Sequence, residues 1–481
     1  MFFRMDGQER KVKLRWIILG LIGALLIAAG IFLYVQRESS RAAGDRLVEQ
    51  LRAQGNPTSL ADLAAAYNAN RSASNPAPIY QAAFELLEKT GGKPGDKKAQ
   101  ERAFGKSGAY WPPPGAKFTA SQLDAMREFV RTNQEALAAL QAAAAQGGPV
   151  VLDLDFAAGP GMLLPHIAKF KNSAQGVEVA CLLAISEGRK ADAITHLTTL
   201  LRIQHALRAE PILVTYMVRL SMYDMGLGAL ERALLHLEFS STEVEQLEKL
   251  LDLGPDQSAL MNALKAERAF GLNIMDNPAL MGTGNPGFKY AQALPSWDYD
   301  RLQYLIHLGG AVELATNSYP EVLTKVDELE RQLAFRRGRY NGSPLKRAFF
   351  FLHRNSILTD MLLPALYGGY ARQGEILART RLARLALEAE RRGPSFRPGA
   401  LSDFADKLGS SALMDPFTGK PFTLVQTNNM TLVYSIGRDL VDNGGYRPGT
   451  NGEGEEAKLR GEPVGGPRPP RGQSDIVFEI R

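Results

Sequence analysis

The chain has 481 residues, which is enough for one large domain or for two to three ordinary domains. Hydrophobic residues make up 45% of it and charged residues 22%, as in a globular protein, so we expect disorder only in loops. The formal net charge of +5 is well below that of a typical nucleic-acid-binding protein, which argues against a nucleic-acid partner.

An uncharged apolar segment at residues 16–35 is the first element of the chain. It has about twenty residues, the length that an α-helix needs to cross a bilayer. About a dozen Leu, Ile, Phe and Val residues favour its insertion by roughly 4 to 7 kcal/mol. The small residues of a signal-peptide cleavage site do not follow it directly, so we interpret it as an uncleaved transmembrane signal anchor. More basic residues precede it than follow it, which predicts that residues 1–15 are cytoplasmic and that the bulk of the chain is extracytoplasmic.

Residues 36–370 predict a large, all-helical extracytoplasmic domain. From Arg41 to Gly55 we expect an exposed helix that leaves the membrane. Between 166 and 237 the chain is almost entirely helical with a turn at Gly188, like one hairpin of a tetratricopeptide array, but no 34-residue repeat is visible. Apolar residues at helical spacing predict further helices at 60–69, 79–89, 118–146, 240–253, 258–275, 300–316, 319–336 and 347–368.

Scattered reactive side chains in this domain do not form a recognisable active centre. In the segment 147–165, Asp153 and Asp155 alternate with apolar residues; they could bind a cation, but a strand edge facing solvent is the favoured interpretation. Cys181 stands in an apolar helical run and is expected to be a buried core residue. No close metal-ligand pair occurs among the six histidines, His166, His196, His205, His236, His307 and His353. The sequence therefore predicts no catalytic and no cofactor-binding residue.

The last part of the chain, residues 371–481, predicts a small α+β domain with a short antiparallel sheet. Residues 446–472 consist of Gly, Pro and charged residues, which predicts a flexible loop. The remaining pattern predicts, in chain order, an amphipathic helix, a Pro-Gly turn, two strands and a final strand, at 373–392, 415–422, 422–426, 432–436 and 475–480.

This order of short motifs resembles the globular part of the type II secretion major pseudopilins, over roughly the last quarter of the chain. One departure is Leu440, which stands where that family has Gly. Another is the loop before the final strand, which is much longer than in the family. The matching residues are Asp415-Pro416-Phe417, Gly419, Pro421-Phe422, Tyr434-Ser435, Gly437, Asp439, Gly444-Gly445 and Asp475-Ile476.

The resemblance implies a calcium site, because the family's loop binds Ca²⁺. Carried over by position, the metal ligands are Asp439, Asp442 and Asp475, together with backbone oxygens near Leu440. The alternative is that Asp and Asn occur here because they favour tight turns, and that the run Asp439–Gly445 is only a turn.

More widely, the chain resembles a group of bacterial single-pass envelope proteins, on residues 75–80, 187–211, 263–269 and the tail. This resemblance implies a location in the bacterial inner membrane, with residues 16–35 in the lipid bilayer. The favoured function is that of a non-catalytic envelope scaffold or interaction protein, associated with secretion and with an envelope protein as partner. The alternatives are a hydrolase and a ligand-binding sensor, each with its site in the helical domain.

Overall fold

The computed structural model confirms the predicted fold class: the chain is mainly helical, with a long apolar N-terminal helix and a small antiparallel three-stranded sheet near the C-terminus. The description that follows covers residues 7–90, 111–278, 292–339, 356–393, 396, 398–426, 431–445 and 475–480.

Fourteen α-helices and three strands lie within the described residues. The first seven helices are α1 (Gly7–Ala53), α2 (Leu60–Asn68), α3 (Ala77–Lys89), α4 (Ala120–Thr132), α5 (Gln134–Gln146), α6 (Pro165–Ser186) and α7 (Lys190–Ala206). The others are α8 (Leu213–His236), α9 (Ser241–Leu251), α10 (Gln257–Asp276), α11 (Trp297–Leu314), α12 (Glu321–Arg339), α13 (Ile357–Arg392) and α14 (Ala405–Leu408). The strands are β1 (Thr423–Gln426), β2 (Thr431–Ser435) and β3 (Ile476–Ile480).

Local sequence signals explain where several helices begin. A capping box starts α2, where the Ser59 hydroxyl accepts from the Asp62 backbone N–H and the Asp62 carboxylate accepts from Ser59 in return. The same reciprocal arrangement starts α4 and α9. Gly188, at φ 69°, makes the predicted turn between α6 and α7, because a residue without Cβ adopts this conformation without strain.

Helix α1 contains the one segment among the described residues that is long and apolar enough to cross a membrane, Leu14–Ala53, within which an 18-residue window has a mean hydropathy of 2.6. Beyond the apolar part the same helix packs on α11, where Ser40 is buried. The Arg37 Nε lies 2.8 Å from an Asp298 carboxylate oxygen, and the Arg301 guanidinium pairs with Asp45 at 2.9 Å. The helix expected from Arg41 to Gly55 is present as the end of α1 and is mostly exposed, but its inner face covers α11.

Three helices run in the same direction away from the predicted membrane span. Arg37 lies beside Asp298 and Gly44 beside Leu305, so α1 and α11 are parallel. Helices α11 and α13 are parallel as well, because Asp300 contacts Thr359 and, further along both helices, the Tyr370 hydroxyl donates to the Ala311 carbonyl. The start of α13 is consequently on the side of the domain that faces the span.

The predicted helix 118–146 is interrupted at Asn133, which separates α4 from α5. Asn133 is buried with φ −107° and ψ 18°, outside the helical region. Its side-chain amide donates to the Phe129 carbonyl at 2.8 Å, and its oxygen accepts from the Thr90 hydroxyl at 2.6 Å. An Asn side chain that competes for backbone groups in this way favours a break, which the uniform Ala-rich periodicity did not reveal.

Helix α13 is continuous over 36 residues, although the sequence predicted separate helices at 347–368 and 373–392. Its described part passes through Gly368 and Gly369 without a break. A Cβ at Gly369 would lie 3.4 Å from Leu260 of α10, so the glycine permits close helix packing instead of ending the helix. The predicted domain boundary at residue 371 lies inside this helix.

The segment 147–165 forms no strand, contrary to expectation; extended chain leads into a 3-10 helix at Phe156–Gly161. Exposure nevertheless alternates along it, with Asp153 and Asp155 exposed. The Asn75 side chain makes the hydrogen bonds that a neighbouring strand would make: its amide donates to the Val151 carbonyl at 2.7 Å, and its oxygen accepts from the Val151 N–H at 3.2 Å. The backbone is thereby satisfied without a sheet.

The sheet has the order β1-β2-β3 and is antiparallel throughout, with Val433 paired to Leu424 and to Phe478. Its apolar face packs on α13, and β3 also contacts α8. There the buried Glu231 carboxylate accepts from the Glu479 backbone N–H at 3.0 Å. Val433 and Phe478 belong to the same hydrophobic cluster as the core of the helices, so the sheet shares the main core.

Candidate functional site

The loop that follows β2 contains two of the three predicted metal ligands, Asp439 and Asp442. The third, Asp475, immediately precedes β3 and lies beside the loop. Gly437, Leu440, Gly444 and Gly445 have positive φ, so the loop turns repeatedly within a few residues. The structure thus brings Asp475 to the loop, about thirty residues away along the chain.

Asp439 caps the first turn of the loop. One of its carboxylate oxygens accepts from the Val441 N–H at 3.2 Å, while the other is buried and has no hydrogen-bond partner in the described part of the chain. Between these two residues, Leu440 has φ 57°, a conformation that costs a residue with a Cβ about 1 to 2 kcal/mol. The capping bond holds Leu440 in this turn.

Asp442 joins the loop to the sheet. Its carboxylate accepts from the Tyr434 hydroxyl at 3.0 Å and from the Gly444 N–H at 2.9 Å. Burial, followed by the Asp442 carboxylate, raises the pKa of Tyr434 to about 12, so the phenol keeps its proton and donates at neutral pH. The Tyr434 ring also lies against Gly445, where a Cβ would come within 3.2 Å of it.

Asp475 closes the far side of the loop and is buried. One of its oxygens accepts from the Asn443 N–H at 3.1 Å and from the Gly445 N–H at 2.7 Å. Hydrogen bonds from backbone N–H groups to a carboxylate are among the stronger ones in proteins. Asp475 therefore ties the start of β3 to the end of the loop.

The fit of this loop to Ca²⁺ is incomplete as the side chains stand. Ca²⁺ takes six to eight oxygen ligands, and carboxylates are its usual partners. Asp442 and Asp475 here accept hydrogen bonds from the loop itself, and the unpartnered oxygen of Asp439 is the part of the arrangement that suits a cation. Over the described ranges, no group of three or more His, Cys, Asp or Glu is placed to hold a metal ion. The calcium site stays a prediction.

Asp415, in the Asp-Pro-Phe turn, is linked by hydrogen bonds to the start of the loop that follows β2. Its carboxylate accepts from the Phe417 N–H and from the Ser435 hydroxyl, both at 2.9 Å. The Ser435 oxygen in turn accepts from the Gly437 N–H at 3.1 Å. Burial raises the pKa of Asp415. This chain of hydrogen bonds joins the first motif of the tail to the start of the loop.

The histidines make separate contacts and are not gathered into one centre in the part of the chain that the structure describes; His353 lies outside that part. Buried His166 lies 2.8 Å from Glu210, and Thr215 donates to the same carboxylate. The threonine hydroxyl is thus bonded to the acid and not to the imidazole, unlike the nucleophile–base pair of a catalytic triad. Other histidine contacts are those of His196 with Gln141, His205 with the Leu253 carbonyl and His236 with the Pro114 carbonyl.

Cys181 and Asp153, also singled out from the sequence, have structural surroundings. Cys181 is fully buried, and burial raises the pKa of its thiol, which keeps it protonated and unreactive. Asp153 forms an exposed ion pair with Arg71 at 2.7 Å, and its neighbour Asp155 is exposed.

A groove of about 410 Å³ lies between α7 and α9. Thr198 and Arg202 line it from α7, Thr242 and Lys249 from α9, and Leu253 contributes an apolar wall. Lys249 is paired with Glu245 of its own helix.

The sequence did not indicate the ionic network that joins α8 to α13. Asp224 of α8 pairs with Arg372 at 2.9 Å and also with Arg379. Burial raises the pKa of Asp224, but the two guanidinium groups outweigh burial and lower it overall, so the carboxylate stays ionised. The partners are about 150 residues apart along the chain, so no local pattern could have predicted this contact.

Comparison of the chain with protein-family models, with curated proteins and with solved structures found no match.

Proposed function

We propose that the protein is a membrane-anchored scaffold or interaction protein of the bacterial envelope, associated with secretion, and that it acts without catalysis. Residues 16–35 lie in the inner membrane in this proposal, residues 1–15 in the cytoplasm, and the rest outside it. The partner is an envelope protein, which binds at the end of the molecule that is far from the membrane.

The parallel course of α1, α11 and α13 is the observation that carries this proposal. Thr359 of α13 lies beside Asp300, close to the end of the predicted span. From Thr359 to Gly374, which contacts Phe417 of the tail, α13 advances fifteen residues, or about 22 Å. The helices thus carry the C-terminal sheet away from the membrane, as a scaffold that presents a binding module would require.

The exposed loop after β2 supports a binding role for that end. Leu440 and Val441 are apolar side chains with exposed fractions of 58% and 46%. They are held by capped turns, so little conformational entropy would be lost when a partner covers them. Backbone strain at an exposed apolar residue such as Leu440 is typical of positions kept for function and not for stability.

Reporter fusions test the predicted topology. We expect a reporter placed after residue 57 and another at the C-terminus to be active only outside the cytoplasm, because the basic residues flanking the span favour a cytoplasmic N-terminus. Activity of the same fusions on the cytoplasmic side would overturn the localisation.

Energy transfer to acceptor lipids tests the height of the tail. The experiment uses the full chain with Cys181→Ala, so that a dye reacts only with a cysteine introduced at Ser39→Cys or Lys420→Cys. A donor dye at position 39 should transfer energy strongly to acceptor lipids, and one at position 420 weakly. Both positions are exposed, and the rise of α13 from Thr359 to Gly374, beside the turn that holds Lys420, separates their levels by about 22 Å. Equal transfer from the two dyes would show that the tail lies on the membrane, and the proposal would fail.

The second candidate function is a ligand-binding sensor, which the groove between α7 and α9 favours. Replacing Arg202 by Ala would weaken ligand binding there and would leave the tail unaffected, so the two functions can be separated.

A further inference from the structure

Arg268, in the middle of α10, is an unusual member of the core. Its side chain is 2% exposed, and it is the largest fully buried side chain among the described residues. The neighbouring helix α11 is close here, because Gly271 leaves room for the Tyr304 ring one turn further along α10. A permanently charged guanidinium is thus enclosed at the contact of α10 with α11.

The hydrogen-bonding edge of Arg268 is open. Neither its Nε nor its Nη2 has a hydrogen-bond partner within the described ranges, and both atoms are buried. These two atoms form one side of the planar guanidinium, the side that binds both oxygens of a carboxylate or phosphate. Arg131 shows the same edge in use: its Nε and Nη2 bind the two Glu128 oxygens at 3.0 and 2.6 Å.

Among the described residues, no acidic group balances the positive charge of Arg268. It forms no ion pair with any carboxylate of the described chain, and burial lowers the pKa of its guanidinium. The adjacent Glu267 accepts from the Leu213 N–H, and the Tyr304 hydroxyl donates to the Glu267 carbonyl. The segments 279–291 and 340–355, which follow α10 and precede α13 in the chain, contain no Asp or Glu. An unpaired buried charge is strongly unfavourable, so this site calls for an anion that the described residues do not supply.

We propose that Arg268 is the recognition residue of an oxyanion-binding site at the contact of α10 with α11. The ligand group is a carboxylate or phosphate that accepts two parallel hydrogen bonds from Nε and Nη2. It comes either from a soluble molecule or from the head group of an anionic phospholipid, since this level of α11 is only about 10 Å beyond Asp298, near the predicted span.

Thermal melting of the full-length protein in detergent tests the site. The Tm should rise in a saturable way with inorganic phosphate or acetate, compared with chloride at equal ionic strength, by about 3 °C near saturation. Arg268→Met should abolish this response while its own Tm in chloride equals or exceeds that of the wild type, because the unpaired charge is gone. Arg131→Met is the matched control and should respond like the wild type.

Arg268→Lys keeps the charge but lacks the paired Nε and Nη2 donors, so its rise in Tm with the anion should be less than half that of the wild type. This variant is the test if Arg268→Met does not fold. Nanodiscs of phosphatidylglycerol distinguish the two sources: a rise that depends on Arg268 in nanodiscs, but not with soluble anions, identifies a lipid head group. A wild-type Tm that is unaffected by phosphate, acetate and phosphatidylglycerol, or an equal response of Arg268→Met, would overturn the proposal and leave ordered water as the partner.

Discussion

Arg37 of α1 and Asp298 of α11 form an ion pair of 2.8 Å only two residues beyond the predicted membrane span. The apolar part of α1 is therefore not followed by a flexible tether. It continues as a helix of the domain, and Arg301 strengthens the contact by pairing with Asp45 of α1 and, at 3.4 Å, with Asp276 of α10. Rotation and tilt of the apolar part of α1 are consequently coupled to those of the domain.

Arg301→Gln should lower the free energy of unfolding by about 1 kcal/mol, because its mostly buried guanidinium joins three helices, although the two carboxylates are themselves more than half exposed. Arg52→Gln is the control, since Arg52 and Glu49 are both exposed and their pair should contribute little. Chemical denaturation in detergent measures both. Equal stability of the two variants would contradict the proposed role of Arg301.

Two helix glycines should respond in opposite directions to alanine. A Cβ at Gly271 would overlap the Tyr304 ring, so Gly271→Ala should destabilise the protein by about 1 to 3 kcal/mol. Nothing lies within 4 Å of a Cβ at Gly309, in the interior of α11, so Gly309→Ala should stabilise it by about 0.5 to 1 kcal/mol. Melting temperatures that shift in the same direction would contradict the close approach of α10 to α11.

Leu440→Gly should stabilise the protein by about 1 kcal/mol, because glycine adopts φ 57° without the clash that a Cβ introduces. Little burial is lost, since the leucine is exposed. Val441→Ala is the control and should show no comparable gain. If Leu440 contacts the proposed envelope partner, the more stable variant should bind that partner less well; a gain in stability and in binding together would argue against it.

Stability should depend on the ionisation of Glu178 in α6. Burial raises the pKa of this carboxyl from 4.5 to about 8; a hydrogen bond with Trp111 and the Arg232 charge act against burial. Because the folded-state pKa is higher than the unfolded one, the stabilisation is complete below about pH 4.5 and is lost as the pH rises towards 8.

Glu178→Gln should therefore flatten the decline of Tm between pH 4.5 and about 8. Glu135→Gln, at an exposed position, should leave the decline unchanged. Identical pH profiles for the wild type and Glu178→Gln would show that Glu178 is ionised in the folded protein.

Calcium should stabilise the tail if Asp439, Asp442 and Asp475 bind it. With a dissociation constant of about 10 μM, millimolar Ca²⁺ would add roughly 2.7 kcal/mol, and a chelator would remove it. Asp442→Ala should abolish the difference. The Gly445 N–H donates a hydrogen bond to Asp475, so its hydrogen-exchange rate gives a local readout of calcium binding. The same exchange rate and Tm with calcium, with chelator and in the variant would leave only a capped turn.

Local patterns in the sequence were sufficient for much of the fold. The helix over the apolar segment 16–35, the turn at Gly188 and the three short strands were all predicted from the sequence, because each depends on residues close together in the chain. The aspartates of the tail loop were also identified from sequence, and their role as caps follows from their neighbours in the turn.

Contacts between distant residues decided the rest. Gly369 lies inside the continuous α13, where Leu260 packs close to it, and Asn133 ends a helix while it bonds to Thr90. The alignment of α1 with α11, and the burial of Arg268 without a counter-charge, likewise arise from how separate helices meet. Sequence periodicity determines which face of a helix is apolar, whereas packing determines which partner covers that face and which polar group it encloses.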